Sequence, residues 1–134
     1  GICLGMQLLL SSSEESKTSQ QGLNLIEGKV ISLPDISLPI PHIGWSSTIL
    51  SNKKFLDKEN LKSLSSGLIS DFYYIHSYVS MPKNKNNIFA SFKYGNSYQT
   101  AAIIKDNIVG VQFHPEKSQT AGLNFLKKFN NTNF

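Results

Sequence analysis

The first ten residues, Gly1-Ile2-Cys3-Leu4-Gly5-Met6-Gln7-Leu8-Leu9-Leu10, constrain the fold more than any other stretch of this chain. A cysteine stands between two glycines, and an apolar run follows at once. The pattern predicts a nucleophile elbow, in which a strand ends, the backbone turns sharply and a helix begins. Such a turn strains the backbone of the central residue, and bulk two residues before or after it would block the chain's close approach to itself. Leu4 to about Leu10 is expected to form a short helix, apolar nearly all round and therefore buried. Cys3 would stand at its N-terminus, where the positive end of the helix dipole favours thiolate over thiol. Only Gly1 and Ile2 precede the cysteine, and the chain does not open on Met. The expectation is a fragment that begins at the elbow and lacks the strand and loop that would lead into it.

A second constellation lies more than a hundred residues away, in Ile108-Val109-Gly110-Val111-Gln112-Phe113-His114-Pro115-Glu116. A buried strand is expected to deliver His114 and Glu116 at its end. Residues two apart in extended chain point to the same side, and Pro115 disfavours helix at His114. An imidazole and a carboxylate side by side are what a cysteine nucleophile needs: the ring takes the thiol proton, and the carboxylate holds the ring's tautomer. Each motif alone has an ordinary structural explanation, a buried cysteine in a turn or a polar strand end. Together they favour a cysteine hydrolase or acyl-transfer enzyme.

Between the two motifs the chain alternates strand and turn signals. Glu27–Leu33 predicts a strand, and Pro34, Pro39 and Pro41 punctuate the loop after it. Ser11–Gln21 reads as a polar surface loop, and Lys58–Leu68 as a short helix or turn. From Asp71 to Val79 apolar and polar residues alternate as in one strand, followed by strands at Asn87–Lys93, Ser97–Lys105 and Ile108–Phe113, the last three joined by close turns that suggest antiparallel pairing. Ser118–Phe129 is the best helix, with Gly122, Phe125, Leu126 and Phe129 on one face and Ser118 as N-cap. The length of 134 residues fits a single domain. All 13 basic residues are lysines, scattered along the chain, and the net charge is +4. Without arginine forks a nucleic-acid reader is disfavoured. One cysteine cannot close an internal disulfide, and three isolated histidines show no metal-ligand spacing, so neither a metal nor a cofactor is expected. No long apolar run or leader is visible, and the expectation is a cytoplasmic protein that does not touch a membrane. His76, in an aromatic strand, is as readily structural as functional; His42 could be interface or loop.

The two motifs, in the order Cys, His, Glu, resemble those of class I glutamine amidotransferases. Gly22-Leu23-Asn24-Leu25-Ile26-Glu27-Gly28-Lys29-Val30, Pro41-His42-Ile43-Gly44-Trp45, His76-Ser77-Tyr78 and His114-Pro115-Glu116-Lys117-Ser118 are similar, in order and over nearly the whole chain, to the glutaminase subunits of imidazole glycerol phosphate synthase. The resemblance implies an α/β fold built on a doubly wound sheet with its N-terminal part missing, residues 1–134 being the C-terminal portion of one amidotransferase domain. It implies a Cys3, His114 and Glu116 triad, with Gln7, Ser77 and Tyr78 binding glutamine and the Leu4 N–H serving the oxyanion. Trp45 and Lys117 resemble residues that contact a barrel-shaped cyclase subunit, in a cytoplasmic heterodimer (a lyase) that makes imidazole glycerol phosphate for histidine biosynthesis. Ser46 departs from the family, which usually has Asn there, and puts one polar interface contact in question. The upstream oxyanion loop is not in this chain, so the fragment alone is expected to be inactive. Anthranilate, guanylate or carbamoyl phosphate synthesis, or a non-catalytic regulatory role, stays open as an alternative.

Overall fold

A computed structural model of the chain describes residues 1–16, 18, 20–50 and 68–131. The helix or turn expected over Lys58–Leu68 lies outside the described residues except for Leu68, which opens a strand instead. Two helices and nine strands are described: α1 (Leu4–Leu8), β1 (Ser12–Ser13), β2 (Gln20–Gln21), β3 (Gly28–Ser32), β4 (His42–Leu50), β5 (Leu68–His76), β6 (Tyr78–Pro82), β7 (Ile88–Tyr94), β8 (Ser97–Lys105), β9 (Ile108–Val111) and α2 (Gln119–Asn131). They form a mixed α/β fold with two sheets, ordered β2-β1-β3-β6 and β5-β4-β7-β8-β9.

The five-stranded sheet is antiparallel throughout, and the close turn at Asp106-Asn107 joins β8 to β9 as expected. Parallel pairing occurs between β1 and β3, and between Ile2 and Val111. That last pairing positions the site. The Cys3 N–H donates to the Val111 carbonyl at 2.7 Å, and the Val111 N–H donates to the Gly1 carbonyl at 2.9 Å. The elbow and the end of β9 therefore run side by side in the same direction and open at the same edge, where α/β sheets hold ligands.

Three expectations change. The alternation from Asp71 to Val79 belongs to two strands, broken at Ser77, whose carbonyl accepts the Leu33 N–H at 2.9 Å. Period-2 patterning continues across such a break and cannot reveal it. The polar run after α1 contains β1 and β2, two-residue strands too short for any period to show. Helix α1 is not buried all round: Met6 is fully buried and Gln7 nearly so, but Leu4 and Leu8, one turn apart, are about half exposed.

Two apolar clusters hold these parts together. Met6, Leu9 and Leu10 pack with Ile26, Val30 and Ile103 and seat α1. Phe72, Tyr74, Phe92, Phe113 and Phe125 belong to the second cluster, in which the Phe72 and Phe113 rings stack with centroids 4.0 Å apart. Burial of such side chains contributes about 1.5–3 kcal/mol each, so the segment that carries β9 on to His114 is anchored firmly by Phe113. Helix α2 closes over the His-Pro-Glu turn, and a Cβ on Gly122 would meet the Pro115 carbonyl at well under contact distance. Glycine at 122 is what lets the helix come so near.

Candidate active site

Cys3 takes φ 49° and ψ −110°, a conformation that residues with side chains rarely adopt. The elbow is therefore present. A Cβ on Gly1 would meet the Gly5 carbonyl well inside van der Waals contact, so the expectation of no bulk two residues before the nucleophile holds. At Gly5 a Cβ would meet open space, and nothing among the described residues requires glycine there.

The thiol donates to the Ile75 carbonyl at 3.7 Å and accepts from Gln112 Nε2 at 3.7 Å. Burial pushes its pKa up from the ordinary value. The Leu4 N–H and the Gln112 amide oppose this, while the negative charges of Glu116 and Glu15 reinforce it. The depressed thiol expected from the helix dipole is thus reversed. A five-residue helix offers little dipole, and desolvation outweighs it. At rest the sulfur is a thiol and needs a base.

β9 ends at Val111, two residues short of the expected Phe113, and His114 stands three residues beyond it, its N–H donating to the Tyr73 carbonyl at 2.8 Å. Its Nδ1 contacts Glu116 Oε1 at 2.6 Å, leaving Nε2 for a reacting proton. The two side chains do not meet through extended alternation as expected. Pro115–Lys117 is a 3-10 turn, and the turn swings Glu116 back onto the ring. Burial is the largest single influence and pushes the Glu116 carboxyl up, but the hydrogen bond from His114, a backbone hydrogen bond at Glu116 and the charges of His114 and Lys117 together outweigh it and hold the group below its ordinary value. The carboxylate is therefore charged at neutral pH.

Ser118 was expected to cap α2. It is fully buried, and its hydroxyl is engaged elsewhere: it donates to the His114 carbonyl at 2.6 Å and accepts from the Tyr73 N–H at 2.9 Å. Ser118 thus clamps the base's backbone to β5.

Gln7 is buried and linked to the thiol through Gln112. Its amide nitrogen donates to the Tyr78 carbonyl and to Gln112 Oε1, each at 3.2 Å. The backbone at Tyr78, rather than its ring, joins the site, and Ser77 is half-buried beside it. Helix α1 and the segment after it line a cavity of about 240 Å³, with Gln7, Leu4, Leu8, Ser13 and Glu15 among its walls. Gln112 and Glu15 are site residues that the sequence reading missed. Gln112 lies two residues before His114, where nothing local marks it, and Glu15 lies in a polar run of the kind that forms solvated loops.

On the outer face of β4 and β5, Trp45 is 49% exposed and meets the Tyr73 ring edge-on at 6.0 Å. Lys117 Nζ lies 5.9 Å from the same ring's centre. Trp45 and Lys117 are thus brought together through Tyr73, a residue the sequence reading left unassigned. Ser46 points the other way, its Oγ 3.0 Å from His42 Nε2.

The family description "Glutamine amidotransferase class-I" matches residues 1–131. Among curated relatives, imidazole glycerol phosphate synthase subunit HisH of Methanosarcina acetivorans is 42% identical over 130 residues, covering 96% of this chain and 60% of that protein. The protein of the same name from Pyrococcus furiosus is 40% identical over 129 residues, covering 96% of this chain and 62% of its own. The chain spans about three fifths of the length of these relatives. Among solved structures, the glutaminase domain of Trypanosoma brucei CTPS with bound acivicin superposes with a TM-score of 0.53 at 17% identity, covering 100% of this chain and 60% of that one, a likeness of fold. A match that runs from the elbow to the last residue of α2 assigns the chain: it belongs to the class-I glutamine amidotransferase family.

Proposed function

We propose that this chain carries the thiol chemistry of a glutaminase, with Cys3, His114 and Glu116 as the reacting unit. The observation that carries the reading is the strained Cys3 set parallel to β9, beyond whose end stands a His114–Glu116 pair at 2.6 Å. His114 Nε2 takes the thiol proton as Cys3 Sγ attacks the side-chain amide carbon of glutamine. The same nitrogen returns the proton to the departing ammonia. Water then attacks the thioester, assisted by the ring, and releases glutamate. Glu116 keeps Nδ1 protonated and supports the imidazolium. The Leu4 N–H, which favours the thiolate at Cys3, is the oxyanion donor in this reading.

The cavity beside α1 suits the amino-acid end of glutamine. Gln7 has its amide nitrogen engaged, so a ligand ammonium would meet its Oε1, and the Glu15 carboxylate supplies the opposite charge. The Ser77–Tyr78 segment reaches this cavity through Gln7, whose amide donates to the Tyr78 carbonyl. For the fate of ammonia, the relatives are named as a subunit of imidazole glycerol phosphate synthase, and on that footing we assign delivery to a cyclase subunit and the Trp45–Tyr73–Lys117 cluster as the face that meets it. The test is release of glutamate and ammonia from glutamine by the protein with its cyclase partner. Turnover lost in Cys3→Ala supports the reading, and turnover undiminished in that variant refutes it.

A further inference from the structure

The register of β4 on β5 sets His42 directly opposite His76, and the two rings meet, His42 Nδ1 lying 3.2 Å from His76 Nε2. The pair is one section of a longer hydrogen-bonded chain. His76 Nδ1 lies 2.8 Å from the Tyr78 carbonyl, and His42 Nε2 lies 3.0 Å from Ser46 Oγ. The Tyr78 carbonyl also accepts from Gln7, which in turn donates to Gln112, which donates to the Cys3 sulfur.

Only one arrangement of protons satisfies this chain when both rings are neutral. A carbonyl can only accept, so His76 Nδ1 carries hydrogen and its Nε2 must accept. His42 Nδ1 therefore carries the next hydrogen, and His42 Nε2 must accept from the Ser46 hydroxyl. Burial favours neutrality at both rings. His76 is 6% exposed, and His42 stacks on Phe92 with centroids 5.2 Å apart and planes 6° from parallel, so neither ring is free to turn. The mechanism uses neither ring.

We propose that His42 is a positioning residue for glutamine: by donating to His76 it fixes that ring's tautomer, holds the Tyr78 carbonyl in place, and so seats Gln7. This rests on the glutaminase reading, and it assigns the inner face of β4, including Ser46, to the substrate site rather than to the partner.

Two measurements on the protein with its partner test the proposal. The first needs no turnover. Long-range proton–nitrogen spectra of the histidine side chains should show both rings as the Nδ1–H form at neutral pH, and an Nε2–H form at either ring overturns the relay. The second is kinetic. His42→Phe keeps the stack on Phe92 but removes the donor, and KM for glutamine should rise about tenfold, the loss of one hydrogen bond's worth of positioning, while kcat stays within about threefold. His42→Asn, which offers an amide N–H near the same place, should recover much of the loss. If His42→Phe does not fold, Ser46→Ala serves instead and should raise KM about threefold. A folded His42→Phe protein with unchanged KM, or equal losses in His42→Asn and His42→Phe, overturns the assignment. Absence of glutamine turnover in the full-length protein assayed with its partner refutes the glutaminase reading separately, and the spectra then decide the relay.

Discussion

Removing the Ser118 hydroxyl should loosen the base without touching the substrate. In Ser118→Ala the Tyr73 N–H loses its acceptor at 2.9 Å, and the His114 carbonyl loses a donor at 2.6 Å. The carbonyl keeps a second bond, from the Lys117 N–H at 3.0 Å, so only the Tyr73 donor is orphaned. An unsatisfied buried donor costs about 1–3 kcal/mol, and this one is only partly buried, so its share is about 1–2 kcal/mol. With the weakened carbonyl the total is about 2 kcal/mol, which lowers the melting temperature of a domain of this size by roughly 6–10 °C. His114 would sample positions displaced from the thiol, and because the base acts in the transition state, kcat should fall about tenfold with KM little changed. Differential scanning calorimetry and initial-rate kinetics read the two effects. Ser118→Thr keeps an oxygen at the same place and should restore most of both. A Ser118→Ala protein that melts within about 1 °C of the parent with an unchanged kcat would refute the clamp.

The remaining predictions are shorter. An electrophilic glutamine analogue should modify Cys3 alone, and His114→Ala combined with Cys3→Ala should be no slower than Cys3→Ala, since members of one catalytic unit do not lose rate additively; multiplicative losses would mean they act apart. Glu15→Gln should raise KM for glutamine by about tenfold or more, removing the carboxylate opposite the ligand ammonium, with kcat nearly unchanged; equal KM would remove Glu15 from the site. Burial lowers the His76 pKa from 6.5 to about 4. The folded state therefore resists a proton that the unfolded chain accepts, so this contribution is whole above pH 6.5 and is lost as pH falls towards 4, by up to about 3 kcal/mol. Urea midpoints measured from pH 7 to 4.5 should fall more steeply for the parent than for His76→Gln, and parallel slopes would contradict it. Trp45→Ala should weaken binding of the cyclase partner by about 2 kcal/mol in calorimetry while leaving the melting temperature alone; unchanged affinity would move the interface elsewhere.

What could be read from the sequence was whatever depends on neighbours along the chain. The elbow follows from Cys3 and the glycine two residues before it, and the pairing of His114 with Glu116 was legible although the 3-10 turn that makes it was not. The contacts that complete the site depend on neighbours across strands. His42 meets His76 because β4 and β5 pair in one register, and Ser118 reaches Tyr73 over a separation of 45 residues. No local pattern carries that information. Glu15 escaped for another reason: β1 and β2 are two residues long, and the fold of that segment comes from hydrogen bonds to α1 and β3 rather than from apolar periodicity. The thiol's raised pKa was illegible because it is set by burial, which spacing cannot measure.

Tyr73 presents its ring to the outside, between Trp45 and Lys117, while its backbone binds His114 and Ser118 within. Backbone bonds survive a change of side chain. The outer surface of β5 can therefore be rewritten for a different neighbour, one residue at a time, with the interior untouched. Insertion of a single residue is another matter. It would turn each side chain beyond it to the opposite face and slide the peptide that seats the imidazole away from it. For lineages that carry this strand, acquiring new partners is open to point substitution and closed to length variation.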